Sequence, residues 1–262
     1  MDFGISGRKA LIVGGSKGLG RGVARALAAE GVDVALIARD AEPLAQTAST
    51  IESEFGVRAL AVPADLGDAA SLDAALARCA SSLGEIDILL NNSGGPPPSG
   101  VAGIAPAVWE AQFQSMVMPI FRITQFVLPA MRRRGFGRIL TVASSSVVEP
   151  NPAIAISNTL RSALVGWSKT LATEVAADGI TVNLLLPGQV ATDRTAFLDA
   201  AAAERQGVPV EKVRGAREAG IPARRYGTPE EFGAVAAFLA SVQAAYVTGS
   251  MVRVDGGLLR SV

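Results

Sequence analysis

The hydrophobic positions of the chain form two alternating kinds of segment. Short apolar runs rich in β-branched residues are typical of buried strands, and the longer Ala-rich segments between them have helical spacing. Strands are predicted at Lys9 to Val13, Val32 to Ala38, Arg58 to Val62, Ile86 to Asn91, Arg138 to Ala143, Ile180 to Leu186 and Met251 to Val254, and helices at segments such as Leu19 to Glu30, Ala69 to Leu83 and Ile156 to Ala177. This alternation predicts a doubly wound α/β protein, in which helices cover both faces of a seven-stranded, mostly parallel sheet.

The size and charge of the chain add limits to this prediction. A chain of 262 residues with 49% hydrophobic residues fits one domain, residues 1–262, around one large core. The 24 basic and 24 acidic residues cancel, and the longest basic run, Arg132 to Arg134, falls at a predicted helix end, where cations are favourable. We therefore expect no nucleic acid partner.

The residue types that are missing exclude several kinds of chemistry. A single cysteine, Cys79, excludes an internal disulfide framework. Without histidine, we expect neither an ordinary zinc site nor a histidine general base, so no metal is predicted. Residues Met1 to Gly7 lack signal-peptide features, and no apolar stretch approaches the roughly 18 residues of a membrane span. A cytoplasmic protein without membrane contact is expected.

The first predicted strand leads into a helix through a glycine-rich loop. Gly14, Gly18 and Gly20 permit a tight turn and close approach of the backbone to a pyrophosphate at the helix N-terminus. Ser16, Lys17 and Leu19 belong to the same loop and are candidate cofactor contacts. A glycine-rich turn without a ligand is the alternative interpretation of this spacing.

The residue after the second predicted strand indicates which dinucleotide would bind. Arg39 stands there, where an acidic residue would bind the ribose hydroxyls of NAD and an arginine can pair with the 2′-phosphate of NADP. Lys17 would add a second positive charge, and Asp33, at the start of that strand, is interpreted as a turn residue. The pattern predicts NADP(H), with a solvated Arg39 as the alternative.

Several further motifs follow in a fixed order along the chain. They are Ala64-Asp65-Leu66, Asn91-Asn92-Ser93-Gly94, Gly179 to Asn183, Pro187-Gly188 with Thr192, and Thr248-Gly249 followed by Asp255-Gly256-Gly257. With the glycine loop, they make the chain resemble the short-chain dehydrogenase/reductase family, and within it the β-ketoacyl-acyl-carrier-protein reductases. Val13 departs from the family pattern, which usually has threonine before the first glycine of the loop.

The resemblance implies a Rossmann-like fold and further site residues. The implied cofactor contacts are Asp65, which would contact the adenine, and Leu66, Asn92, Gly94, Pro187, Gly188, Val190 and Thr192. Residues 187–192 would lie along the nicotinamide, and residues 193–221 would form a substrate lid. The resemblance also implies a homodimer or homotetramer built on the long helices.

The catalytic positions of the family are substituted in this chain. Ser144 matches the serine that polarises the substrate carbonyl, but Ser157 stands at the tyrosine position and Arg161 at the lysine position. Leu171-Ala172-x-Glu174, thirteen residues past Arg161, supports this register, and Met116 falls at the family's asparagine position, beside Ser115. Ser157 and Arg161 lie one helical turn apart, so both are predicted to face the cofactor.

The loss of tyrosine lowers the acidity available for catalysis. An aliphatic hydroxyl is a much poorer acid than a phenol, and loss of a positioned acid costs about 10²–10⁴ in rate. The chain has only Tyr226 and Tyr246 as other tyrosines. We interpret Tyr226 as a packing residue and place Lys169 at a helix interface or in solvent.

Three functions are consistent with these residues. The favoured one is an NADP(H)-dependent oxidoreductase acting on a small carbonyl compound or acyl thioester through Ser144, Ser157 and Arg161, because the substitutions preserve a hydroxyl and a charge. The alternatives are a catalytically impaired protein that binds or senses NADP(H), and non-redox chemistry with Arg161 as an anion clamp. Pro96 to Pro98 form either an apolar wall of the nicotinamide pocket or a rigid connector. The sequence does not indicate the substrate.

Overall fold

The computed structural model describes residues 2–261, in which a single sheet of seven parallel strands forms the centre. The strands are β1 (Lys9–Val13), β2 (Asp33–Ala38), β3 (Ala59–Pro63), β4 (Ile88–Asn91), β5 (Gly137–Val142), β6 (Ile180–Pro187) and β7 (Met251–Val254), in the order β3-β2-β1-β4-β5-β6-β7. The predicted fold class is confirmed, and each strand begins and ends within two residues of its predicted limits.

Helices connect the strands on both faces of the sheet. They are α1 (Gly18–Ala29), α2 (Ala41–Phe55), α3 (Ala69–Leu83), α4 (Pro106–Met116), α5 (Met118–Arg134), α6 (Ala155–Val175), α7 (Asp193–Gln206), α8 (Val210–Gly220) and α9 (Pro229–Ala240). Within the described residues, no helix is both long and apolar enough to cross a membrane. The segment predicted to be a lid, residues 193–221, consists of α7 and α8.

Alternating strand residues supply two separate layers of the core. Ala10 and Ile12 of β1 pack with Leu27 of α1 and Phe232 of α9, whereas Leu11 and Val13 pack on the opposite face among residues of α3 and α5. Successive side chains of a strand point to opposite faces of the sheet, so a strand covered on both faces must be apolar throughout. This burial explains the uninterrupted apolar runs of the sequence.

The strand order reverses between β1 and β4, which are neighbours in the sheet. In open α/β sheets, a crevice forms at such a reversal beyond the carboxyl ends of the strands, and ligands bind there. The loops after β1, β4, β5 and β6 therefore define where a functional site is expected.

Arg132 to Arg134 end α5, as predicted, and Gly135 follows in the left-handed conformation. Their guanidinium groups pair with Asp178, Glu85 and Asp87. Cations in the last turn stabilise a helix by interaction with its dipole. This basic run is thus engaged within the protein.

Glycines allow α1 and α9 to approach each other closely. A Cβ atom at Gly22 would collide with the backbone carbonyl of Pro229, and one at Gly233 would collide with the carbonyl of Gly22. Because the collisions are with backbone, relief would require a helix to move rather than a side chain to rotate.

Gly22→Ala is therefore expected to lower the free energy of unfolding by about 3 kcal/mol, as overpacked cores do. Chemical denaturation would measure the change. Gly166→Ala is the matched control, because Gly166 is an exposed residue of α6 with nothing within 4 Å of its added Cβ. This substitution should stabilise the protein by up to about 1 kcal/mol. Equal effects of the two substitutions would contradict the packing argument.

Candidate active site

The crevice at the strand reversal brings together most of the residues predicted from the sequence. An added Cβ at Gly14 would lie 2.6 Å from Nδ2 of Asn92, and one at Gly18 would lie 3.3 Å from Cγ2 of Thr192. Thus, the loops after β1, β4 and β6 are in contact. Arg39 and Asp65 follow β2 and β3 at the same edge of the sheet, and both are exposed.

The glycine-rich loop turns in a conformation that other residues rarely adopt. Gly14 has φ +70° and Gly18 has φ +55°. A Cβ at Gly20 would collide with the carbonyl oxygen of Gly14. These glycines are therefore required by the turn itself, so their presence alone does not demonstrate a ligand.

The N-terminus of α1 supplies a more informative observation. Lys17, which precedes the helix, makes no side-chain cap hydrogen bond, and the first turn contains no acidic residue. Asp68, Thr192 and Thr228 cap α3, α7 and α9, whereas α2, α4, α5, α6 and α8 lack a side-chain cap as α1 does. The N-terminus of α1 is singled out by its position after the glycine-rich loop at the strand reversal. Amides without a side-chain cap, at the positive end of the helix dipole, fit an anion such as a pyrophosphate.

Several charged residues lie in or after the strands that border the crevice. Arg39 follows β2 in an exposed position, and the ammonium of Lys17 lies 3.3 Å from the carboxylate of Asp193 in α7. Asp33 is the first residue of β2 rather than a turn residue, and its carboxylate accepts a hydrogen bond from the amide of Arg58. The carboxylate of Asp65 accepts a hydrogen bond from the amide of Gly67.

Ser157 and Arg161 lie on one face of α6, as predicted, and both are buried. Arg161 Nε donates to Ser157 Oγ over 3.3 Å. The rest of the guanidinium binds carbonyls at the ends of two strands, through Nη1 to Val142 (2.8 Å) and through Nη2 to Ser93 and Gly94 (3.3 Å each). Arg161 thus joins the loops after β4 and β5, a connection that the sequence had not indicated.

The guanidinium of Arg161 is buried without a carboxylate partner among the described residues. Among residues 2–261, no acidic side chain forms an ion pair with Arg161. Burial, and to a smaller degree the positive charge of Arg194, lower the pKa of Arg161 to about 10. Arg161 remains cationic at neutral pH and gives the site a positive potential.

Ser144 has a hydrogen-bond pattern suited to donation toward a ligand. Its Oγ accepts from Ser146 Oγ over 2.8 Å and from the amide of Ser146 over 3.1 Å. A hydroxyl has two acceptor lone pairs and one proton, so the proton of Ser144 is left for another acceptor. Ser157 Oγ likewise accepts from Arg161 and retains its proton.

Arg194 is a site residue that the sequence reasoning missed. It lies in the first turn of α7, and its Nη2 donates to the carbonyl of Pro96 over 2.6 Å. The available signal was an arginine two residues after Thr192, at the start of the segment predicted to form a substrate lid. Pro96 itself is buried, whereas Pro97 is exposed.

Tyr226 and Lys169, the other side chains considered as proton donors, lie in structural positions. Tyr226 is buried and its hydroxyl lies 3.1 Å from a carboxylate oxygen of Asp199, which also pairs with Arg217. Burial, followed by the charge of Asp199, raises the pKa of Tyr226 to about 12. This cluster joins α7, α8 and the turn before α9. Lys169 is exposed near Gly249.

Met116 is buried at the end of α4, where the family has asparagine, and it packs in an apolar cluster with Leu160. The neighbouring Ser115 hydroxyl donates to the carbonyl of Gln112 one turn earlier. A thioether cannot donate a hydrogen bond, so Met116 cannot take part in a water relay as an amide does.

A parallel sheet with a glycine-rich loop at the strand reversal and hydroxyls beyond β5 defines a dinucleotide-binding protein of the Rossmann type. A family model described as enoyl-(acyl carrier protein) reductase matches residues 13–259. The chain belongs to the short-chain dehydrogenase/reductase family of oxidoreductases, which confirms the resemblance seen in its motifs.

Similar proteins match along almost their whole length. Nodulation protein G of Rhizobium sp. (strain N33) is 34% identical, with 98% of each chain covered. The 3-oxoacyl-[acyl-carrier-protein] reductase FabG of Escherichia coli (strain K12) is 33% identical, with 98% of this chain and 99% of that protein covered. The structure of L-sorbose reductase from Gluconobacter frateurii, complexed with NADPH and L-sorbose, has a TM-score of 0.94 and 35% identity, with all of both chains covered.

Proposed function

We propose that this protein is an NADP(H)-dependent oxidoreductase that reduces the carbonyl group of a small ketone or an acyl thioester. The observation that carries the proposal is the pair of serine hydroxyls, Ser144 and Ser157. Each accepts a hydrogen bond from within the protein and retains a proton for a substrate oxygen. Similarity to L-sorbose reductase, whose structure contains NADPH, and to a 3-oxoacyl-[acyl-carrier-protein] reductase supports the same chemistry.

The uncapped N-terminus of α1 would hold the pyrophosphate of the dinucleotide, and Arg39 its 2′-phosphate. Asp65 and Leu66 would lie at the adenine, and Asn92, Gly94 and residues 187–192 at the nicotinamide side. NADPH, when bound, supplies the hydride. The task of the protein is then to orient the substrate and to stabilise charge on its oxygen.

The serines act on the oxygen of the carbonyl group. Ser144 donates a hydrogen bond that polarises the carbonyl, and Ser157 donates a second one as negative charge develops. The guanidinium of Arg161, 3.3 Å from Ser157 Oγ, favours negative charge on that oxygen and so makes the hydroxyl a better donor. Ser157 then transfers its proton to the alkoxide formed by hydride addition, and a solvent proton relayed through water restores the Ser157 hydroxyl. Without a tyrosine, this proton transfer is slow.

The test is NADPH oxidation with a panel of β-ketoacyl thioesters and simple ketones. Ser144→Ala is expected to lower kcat/KM about tenfold, because it removes one neutral hydrogen bond to the oxygen while Ser157 remains. Ser145→Ala is the control, since the Ser145 side chain makes none of the bonds described for the site. Turnover that is unchanged in Ser144→Ala would contradict the assignment of Ser144.

A second candidate function is binding of NADP(H) without turnover. It is favoured by the hydrogen bonds of Arg161, which go to three backbone carbonyls and one hydroxyl and thereby give the residue a structural role. NADPH binding measured by calorimetry, together with no oxidation across the whole substrate panel, would select this function over the reductase.

A further inference from the structure

Two arginines from different helices bind the same short loop, the one that follows β4. Arg161 donates to the carbonyls of Ser93 and Gly94, and Arg194 donates to the carbonyl of Pro96. The guanidinium of Arg194 also covers Gly95, where an added Cβ would lie 3.0–3.2 Å from its atoms. The loop after β4 therefore carries a cation from α6 and a cation from the lid helix α7.

This pair of charges is not neutralised within the protein. None of the ion pairs formed by residues 2–261 includes Arg161 or Arg194. The acidic neighbour of Arg194, Asp193, faces Lys17 instead. Burial lowers the pKa of Arg194, and the charge of Arg194 in turn lowers that of Arg161. Partial burial of unpaired cations is unfavourable, and an anion beside them would compensate their charge.

Arg161 and Arg194 differ in the number of guanidinium N–H groups that remain free to bind a ligand. Arg161 donates four hydrogen bonds within the protein. Arg194 uses a single donor, Nη2, although a guanidinium carries five N–H groups. Arg138, a buried arginine at the opposite end of β5, is more fully engaged, with bonds to the carbonyls of Ser241, Gly137 and Gly179. Arg194 therefore retains N–H groups for a ligand.

We propose that the substrate carries a carboxylate, or an oxyanion of similar geometry, which Arg194 binds while Arg161 adds positive potential from beneath the loop. The inference rests on the proposed function, because it assigns the substrate class of the same site. A planar guanidinium binds a carboxylate with two parallel hydrogen bonds, which also fixes the orientation of the substrate. The carbonyl to be reduced would then be held at a set distance from the carboxylate.

Binding can be tested without turnover. Acetoacetate and 2-oxobutyrate, each against its methyl ester, would be titrated by calorimetry into protein saturated with NADP⁺. We expect each acid to bind at least tenfold more tightly than its ester, because the ester lacks the charge that a bidentate arginine recognises. An acid-over-ester ratio below threefold for both pairs would overturn the proposal.

Substitutions of Arg194 test whether this residue causes the preference for the acid. Arg194→Gln is expected to reduce the acid-over-ester ratio to near one while leaving ester binding unchanged, and Arg194→Lys to retain part of the ratio. Arg205→Gln, which removes an exposed charge from the same helix, should leave the ratio unchanged. An acid preference that persists in Arg194→Gln would overturn the proposal.

A phosphate of the cofactor is the other anion that Arg194 could bind. NADPH affinity of Arg194→Gln, measured by fluorescence in the absence of substrate, distinguishes the two sources. A tenfold loss of NADPH affinity without an acid preference would assign the arginine to the cofactor and overturn the substrate proposal. Conversely, acid binding that depends on Arg194, combined with no NADPH oxidation, would support this inference and refute the reductase function.

Discussion

Ser157→Tyr combined with Arg161→Lys is expected to raise NADPH-dependent reduction of a β-ketoacyl thioester by about 10²–10⁴-fold. The double substitution restores a phenol with a pKa near 10 and the ammonium that lowers it, in a helix that already presents both positions on one face. Because Ser144 retains a free hydroxyl proton, the oxygen of the substrate would again be contacted by a serine and a tyrosine.

The measurement is kcat and KM of the natural protein and the variant under identical conditions. Ser157→Phe with Arg161→Lys is the control, because it has the ring without the acid and should gain nothing. Thermal unfolding of all three proteins is needed as well, since a lysine cannot make the bonds of Arg161 to both Val142 and the loop after β4. A folded Tyr/Lys variant no faster than the Phe/Lys control would show that the missing acid does not limit the rate.

Arg39→Ala is expected to weaken NADPH binding about 100-fold while leaving NADH binding nearly unchanged. Hydrogen bonds to a charged group contribute about 1.5–3 kcal/mol, and each 1.4 kcal/mol is a factor of ten in affinity. The 2′-phosphate is the only part of the cofactor that differs between the two dinucleotides, and Arg39 is the residue that follows β2.

Titration of both dinucleotides into Arg39→Ala and into Arg78→Ala would measure this effect. Arg78 is an exposed arginine of α3, so its replacement changes the net charge equally without touching the crevice. The preference for NADPH should also fall as salt is added, because an exposed pair is screened. Equal losses for NADPH and NADH in Arg39→Ala would refute the phosphate assignment.

Much of the fold was predictable because local sequence patterns record it directly. Where a strand is buried on both faces, as at Ala10 to Val13 of β1, it is apolar throughout, and the seven mainly apolar runs of the sequence became the seven strands. The edge strand β7 is partly exposed and contains Arg253. The glycines at 14, 18 and 20 could be assigned to a tight turn because the backbone there excludes side chains. Ser157 and Arg161 could be placed on one helix face from their spacing of four.

The sequence by itself thus determined the sheet, its glycine-rich turn and the family, and it predicted the cofactor contacts and the substituted catalytic positions. The tertiary structure decided what the substituted residues contact, because those contacts join segments far apart in the chain. Arg161 reaches carbonyls 19 and 68 positions away, and Arg194 reaches one 98 positions away. No periodicity or local motif encodes such pairs. The packing of the strand ends against the lid decides whether a cation contacts a carboxylate, a carbonyl or an open crevice. In this protein, that packing gives neither Arg161 nor Arg194 a carboxylate partner among the described residues.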